Sequence, residues 1–324
     1  MTRIKSYLKS LDESTTSLMQ SLAILLVLVA IAFLLSKGVF LRPNNLVNLG
    51  RQNAMLLFVA LAQLVVLLTG GIDLSVGAVV AISSVLVVLF QGYGIGLALC
   101  VALAVGALIG TISGILVTGL RLPAFVITLA MQQIVYSVAK VMTNGAKVEH
   151  SLNGAMLSMS LSRFYKMKTM GLIIPIWLCI AVIIVMTLYM RTKQGYYLYA
   201  IGGNSSAARF SGLPVRLINI LAYTLSSMLC AFAGFLFVCR VGTGDPDTGI
   251  LLPMDAIAAC TIGGVSLSGG KGSVAGAVIG LLVLCVLNNI MSLIHVSPNV
   301  QPMVKGIVIL IAVFMNSVKK NGEN

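Results

Sequence analysis

The sequence predicts an all-α, polytopic membrane protein: one domain over residues 1–324, with about ten transmembrane helices, some of them broken by glycine-rich segments. Three observations carry this. Hydrophobic residues make up 59% of the chain against 9% charged, at a mean hydropathy of +1.05, more apolar surface than a soluble fold can cover. Apolar runs long enough to cross about 30 Å of hydrocarbon recur along the whole chain. The basic residues behind the net charge of +13 are scattered between those runs, so they read as loop and anchor charges and not as a nucleic-acid surface.

The first span, about residues 18–35, follows Arg3, Lys5 and Lys9 in the manner of a signal peptide. The run is too long for one, however, and Phe33–Val39 offers no cleavage site of the A-x-A kind, so it is read as a retained span with its basic end in the cytoplasm. Further spans are expected at about 53–69, 74–91, 95–119, 123–143, 171–190, 216–239 and 300–318. Between 253 and 295 the pattern breaks. An apolar stretch at about 254–264 is too short to cross alone, a glycine-rich knot follows at Gly263–Gly272, and 274–294 is apolar again. Alternating sides from a cytoplasmic N-terminus puts 191–215 and Lys319–Lys320 inside, with 36–52 and 144–170 outside. The positive-inside bias supports this weakly, because Lys37, Arg42 and Arg51 then fall outside.

Chemistry-bearing residues are sparse. The six cysteines stand singly in or beside apolar stretches, and the two histidines, His150 and His295, are far apart, so neither a disulfide framework nor a metal centre is suggested. H-E-x-x-H and G-x-S-x-G are absent. Val265–Gly272 mimics a phosphate-binding loop, but Val265 replaces its first glycine and Gly272 its hydroxyl residue, so ATP hydrolysis is not expected on this chain.

One internal repeat stands out. Gly70–Gly77 and Gly263–Gly270 share the pattern G-G-x-x-L-S-x-G, each closing one apolar segment and opening the next. Each is either a tight turn with an Asx or Ser cap on the following helix or, as one of two matched glycine-interrupted helices, part of a translocation path, which makes Gly70, Gly71, Asp73, Ser75, Asp255, Gly263, Gly264, Ser266 and Ser268 path candidates. Asp73 and Asp255 are the carboxylates set against spanning segments, and a charge at that depth is either functional or caps the following helix. Both readings stay open for each. The loop 191–216 carries four positive charges and no negative one; Gly202-Gly203-Asn204 is expected to end one helix, and Asn204 to cap a short helix over Ser205–Phe210. Small residues at Gly203, Ala207, Ala208 and Gly212 clear a face for close approach, so the loop reads as a docking element.

These residues resemble the permease subunit of ABC importers of the ribose, galactose and xylose class. That family carries G-G-[IT]-D-L-S-x-G after its second span, here Gly70–Gly77. Its cytoplasmic loop is matched by Thr192, Gly195, Tyr199–Asn204, Ala207, Ala208, Ser211 and Gly212, its D-A-I-A-A motif by Asp255–Gly272, and its C-terminal K-G-x-x-I-L-x-A-V by Lys305–Val313. The resemblance implies a pair of permease copies or paralogues in the bacterial inner membrane. It further implies two cytoplasmic ATPase subunits that bind the ATP, docked through Gly202, Gly203, Asn204, Ala207, Ala208, Arg209 and Gly212, and an extracytoplasmic sugar-binding protein. No cofactor is expected on the chain itself. The alternative, an ion-coupled secondary transporter of a small polar solute, would require more ionisable groups along the spans. Three departures from the family pattern, Pro253, Asn299-Val300 and Asn316, lower charge or aromatic content; the first two are expected on the outer face, where they would tune docking of the binding protein.

Overall fold

The computed structural model describes residues 2–120, 122–149, 163, 165–169, 172–297, 299–308 and 310, with only the backbone described for 2–17 and 168. His150, most of the 144–170 loop, the end of the 300–318 span, Asn316 and Lys319–Lys320 lie outside the described residues. Helix α1 (Thr2–Leu35) leads through a 3-10 turn at Val39–Leu41 into α2 (Pro43–Leu68), followed by α3 (Val76–Phe90), α4 (Ile95–Leu120) and α5 (Ala124–Thr143). A small antiparallel pair, β1 (Lys168–Thr169) and β2 (Leu172–Ile173), precedes α6 (Ile174–Met190). Then come α7 (Lys193–Gly203), α8 (Ser205–Phe210), α9 (Val215–Val241), α10 (Leu252–Ile262) and α11 (Val274–Leu293), and residues 301–308 begin a further helix.

Seven of these helices are long and apolar enough to cross a membrane alone, and α6 joins them when counted with α7, from which it bends by 70°. With the short α10 and the helix beginning at 301 they make up the roughly ten helical elements expected. Most ends fall within three residues of the apolar limits. The exceptions are α1, which begins sixteen residues before its apolar stretch, and α2, which begins ten residues before its own because Pro43 presets the first helical φ and the polar Asn44, Asn45 and Asn48 extend the helix past the hydrocarbon. Asn45 and Asn289 exchange amide hydrogen bonds at 2.9 and 3.1 Å, fixing this extension to α11.

The core is built around α2 and α3, whose apolar stretches are 78% buried, whereas the figure is 11% for α1 and 28% for α4. Helix α9 packs against both core helices and against α4. The α4–α9 contact is close because Gly106, Gly110 and Gly114 line one face of α4: a Cβ at Gly106 would lie 2.7 Å from that of Ala231, and one at Gly114 2.7 Å from the Ile220 Cα. Between apolar helices in lipid this small-residue stripe supplies the van der Waals contact that the hydrophobic effect cannot. Helix α1 is peripheral and packs along α11, with Ser21 Oγ donating to the Ile262 carbonyl at 2.6 Å.

The loops after α5 and α9 meet on one face. Val148 and Gly244 form a backbone bridge, and Lys140–Asp247 and Lys147–Asp245 are ion pairs of 2.7 and 3.2 Å. Alternation of the spans assigns this face and the 191–214 loop to opposite sides of the bundle.

Candidate functional site

The first break in the helical pattern lies between α2 and α3. Leaving α2, the chain turns through Gly70, at φ +82°, while Gly70 and Gly71 donate back to the Leu67 and Val66 carbonyls at 2.9 and 3.2 Å. Gly71 has no room for a side chain, since the Tyr223 hydroxyl lies against it. Asp73 is fully buried. Its Oδ1 accepts from the backbone N–H of Ser75 at 2.9 Å and from Ser75 Oγ at 2.6 Å, and its Oδ2 accepts from Ser226 Oγ on α9 at 3.3 Å. Gln63, equally buried on α2, directs its amide to the Asp73 backbone, donating to the carbonyl at 2.9 Å and accepting from the N–H at 3.3 Å. Thr128 on α5 closes the shell, accepting from the Leu74 N–H and donating to the Ile72 carbonyl, both at 3.1 Å. Asp73 thus organises the turn that starts α3, tying it to α9 by its carboxylate and to α2 by its backbone, while the flanking Ile72 and Leu74 tie the turn to α5. Ser75 itself makes no side-chain cap on α3.

The second break follows α10. Gly263 packs on Gly276 of α11, backbone against backbone, and the turn is held by Val265 N–H to the Cys260 carbonyl and Ser266 N–H to the Lys271 carbonyl, both 2.9 Å. Ser266 Oγ accepts from the Ser268 N–H at 3.2 Å. The two copies of the repeat meet here: Gly270 N–H donates to the Leu68 carbonyl at 3.0 Å, and a Cβ at Gly70 would lie 3.3 Å from the Ser268 carbonyl oxygen. Gly264 makes the turn at φ +81°. Asp255 has a different partner. It lies in the first turn of α10 and forms a two-oxygen ion pair with Lys305, at 3.0 and 3.4 Å, which fixes the helix beginning at 301 to α10. Pro253 is buried at the start of α10, so it is not a docking position on the outer face.

The loop 191–216 is two helices. Thr192 caps α7 through Oγ1, and Asn204 caps α8 by accepting from the Ala207 N–H at 2.9 Å, as its place in the sequence predicts. The end of α7 is pressed onto both breaks. Gly202 lies against the Leu68 carbonyl, where a Cβ would also come 2.5 Å from Gly270 N; Gly203 borders Gly270; and Tyr199 Oη donates to the Gly272 carbonyl at 3.0 Å. The small-residue face is split by this packing. Ala208 is 6% exposed and packs into its own chain, while Gly203, Asn204, Ala207, Arg209 and Gly212 face outward. Phe210, which the sequence reading passed over, projects at 94% exposure.

Sequence reasoning also missed Gln63, Thr128, Tyr223 and Ser226, which line the Asp73 turn from three other helices. Within their own helices they read as isolated polar residues, and only the polarity of each at core depth signalled a role. The six cysteines are free thiols, four of them buried. Among the described residues no three His, Cys, Asp or Glu side chains converge on a common point.

A helical membrane bundle interrupted at two glycine turns that touch, with a capped short helix on the loop pressed against them, is the build of a solute permease. The chain belongs to the family described as branched-chain amino acid transport system / permease component, whose model matches residues 45–313. It is 38% identical over 306 residues to a ribose import permease protein of Escherichia coli (strain K12), covering 93% of this chain and 94% of that one. Identity is also 38% over 298 residues to a ribose import permease protein of Bacillus subtilis (strain 168), covering 91% of each. An L-arabinose ABC transporter permease protein of Azospirillum brasilense is 31% identical over 288 residues, 87% of this chain and 82% of that one. No solved structure matches. The chain is therefore a multi-pass permease component of an ABC importer.

Proposed function

We propose that this chain, paired with a second copy or a close paralogue, forms the inner-membrane pathway for a monosaccharide, with ATP hydrolysed on separate cytoplasmic subunits and the sugar delivered by an extracytoplasmic binding protein. The observation that carries the reading is the junction of α7 with both glycine breaks, which joins the docking loop to the candidate path by backbone contact. The outward residues of α8 and its flanks, Gly203, Asn204, Ala207, Phe210 and Gly212, are the surface for the ATPase, with Arg209 at its edge towards α9, and Ala208 holds that surface to the permease. The chain's N- and C-termini lie on the ATPase side in this reading. An ion-coupled carrier is disfavoured because Asp73 and Asp255 are both engaged by internal partners.

The test is uptake of labelled monosaccharides into vesicles containing the permease and its ATPase, supplied with the binding protein. Uptake should require ATP on the side of the 191–214 loop and persist when ion gradients are dissipated. Uptake by the permease alone, abolished by an ionophore, would establish the carrier instead.

A further inference from the structure

An open groove of about 610 Å3 runs between α8 and the start of α9, lined by Arg209 and Arg216 and by the apolar Leu213, Val215, Leu217 and Ile220. Both arginines are exposed, neither makes an ion pair among the described residues, and no carboxylate lines the groove. Two unpaired guanidinium groups at one site suit a phosphate, which each can bind through two parallel N–H donors. The α9 start adds to this, since Pro214 at its N-cap offers no side-chain acceptor to the first N–H groups.

The depth of the groove separates a lipid from a soluble anion. With 27 residues α9 is about 40 Å long against about 30 Å of hydrocarbon, so roughly three residues at each end project into the headgroup layer. Arg216 and Leu217 then sit at headgroup level, and Ile220 at the start of the hydrocarbon. From Leu217, which lines the groove, a stripe continues along α9 through Leu221 and Met228, spaced to share one face and exposed at 54%, 37% and 37%. A soluble protein cannot follow this stripe into the membrane, whereas an acyl chain can. A zwitterionic headgroup would bring its ammonium towards two arginines, which leaves a headgroup of net negative charge as the better fit.

We infer that the groove seats one anionic phospholipid, its phosphate between Arg209 and Arg216 and its acyl chains along Leu217, Leu221 and Met228, so that a lipid braces the docking loop against the bundle. The inference holds whichever solute is carried. Native mass spectrometry of the full-length permease, with phosphatidylglycerol and phosphatidylcholine added in equal amounts, tests it. The wild type should retain one phosphatidylglycerol per chain in preference to phosphatidylcholine. Arg216→Gln should cut that preference about fivefold, the scale expected for one basic residue at a membrane surface. Lys193→Gln, on the same loop but outside the groove, should leave it unchanged. Leu221→Ser, which keeps both arginines, should lower retention as well, and thermal unfolding of each variant shows that it is folded. Wild-type preference in folded Arg216→Gln would overturn the inference. So would displacement of the lipid by inorganic phosphate, which would make the groove a free-anion site, or its loss on adding the ATPase or on permease pairing, which would assign the groove to a protein partner.

Discussion

Replacing Asp73 by Asn and by Ala separates a carboxylate that builds the turn from one that acts by its charge. The carboxylate accepts from three donors in a fully buried site: Ser75 N–H at 2.9 Å, Ser75 Oγ at 2.6 Å and Ser226 Oγ at 3.3 Å. In Asp73→Ala the Ser226 hydroxyl can turn back to the carbonyl one turn earlier in α9. The two Ser75 donors have no such recourse, and at about 1–3 kcal/mol for each buried group left unpaired the loss comes to about 4 kcal/mol. Asn keeps an oxygen where Oδ1 stands, so both Ser75 bonds survive at neutral strength, and the cost falls to about 1 kcal/mol. Thermal unfolding in detergent should rank wild type, Asn and Ala in that order, with a wide gap before Ala, while uptake per folded molecule stays near wild type in Asn. If Asn and Ala unfold with the wild type yet both abolish uptake, the carboxylate works through its charge and the turn-building argument fails.

Two further predictions concern the other contacts of the site. Lys305→Met leaves the Asp255 carboxylate, 16% exposed, without its partner and should destabilise the bundle by about 2 kcal/mol, a buried-pair loss reduced by partial hydration; Asp255→Asn with Lys305→Gln should recover most of it. Additive losses in a double-mutant cycle of thermal unfolding would show that the pair does not fix the last helix to α10. Gly202→Ala places a methyl group against the Leu68 carbonyl and should leave ATPase co-purification intact while reducing uptake at least tenfold, since the displaced α7 no longer registers with the breaks. Full uptake would show that this junction opens freely during transport.

The spans were legible because hydrocarbon demands about 20 apolar residues of a helix, a requirement the chain states residue by residue. The α8 cap was legible for a similar reason: Asn204 and the helix it caps are neighbours in sequence. What the sequence does not display is contact between distant segments. The repeat located Gly70 and Gly270, but that Gly270 donates to Leu68, and that Gly202 fills the same corner, depends on where α7 is aimed by the 70° bend at Arg191–Thr192. Asp73 illustrates the limit from the other side. Its sequence neighbours allowed either a cap or a path role, and the partners that define its surroundings, Gln63, Thr128 and Ser226, come from helices whose facing is set only by packing. Ala208 shows how a small residue misleads, because a side chain that permits close approach does so equally towards a partner and towards its own chain.

The α7 junction has a mechanical consequence. Between α8 and the two breaks the contact is largely backbone, beside the Tyr199 hydroxyl on the Gly272 carbonyl: Asn204 joins α8 to α7, Gly202 touches the end of α2, Gly203 borders Gly270, and Gly270 is itself hydrogen-bonded to Leu68. A contact between side chains can absorb a displacement by changing rotamer, whereas glycine backbone on glycine backbone has no such freedom and the packed interior behind it yields little. On the proposed coupling role, a shift of α8 is expected to reach the end of α2 and the 263–272 turn with little loss. At that point the Asp73 shell lies five residues beyond Leu68, held to α5 and α9 by hydrogen bonds rather than by apolar contact alone. Hydrogen bonds of fixed geometry would make this part of the bundle resist such a shift, so the motion is expected in the turns themselves, at Gly70 and at Gly269–Gly270, whose positive φ values lie where glycine moves with the least steric penalty. The glycines of the repeat thus stand where the 191–214 loop contacts the bundle, and they are the positions we propose as hinges for the two broken helices.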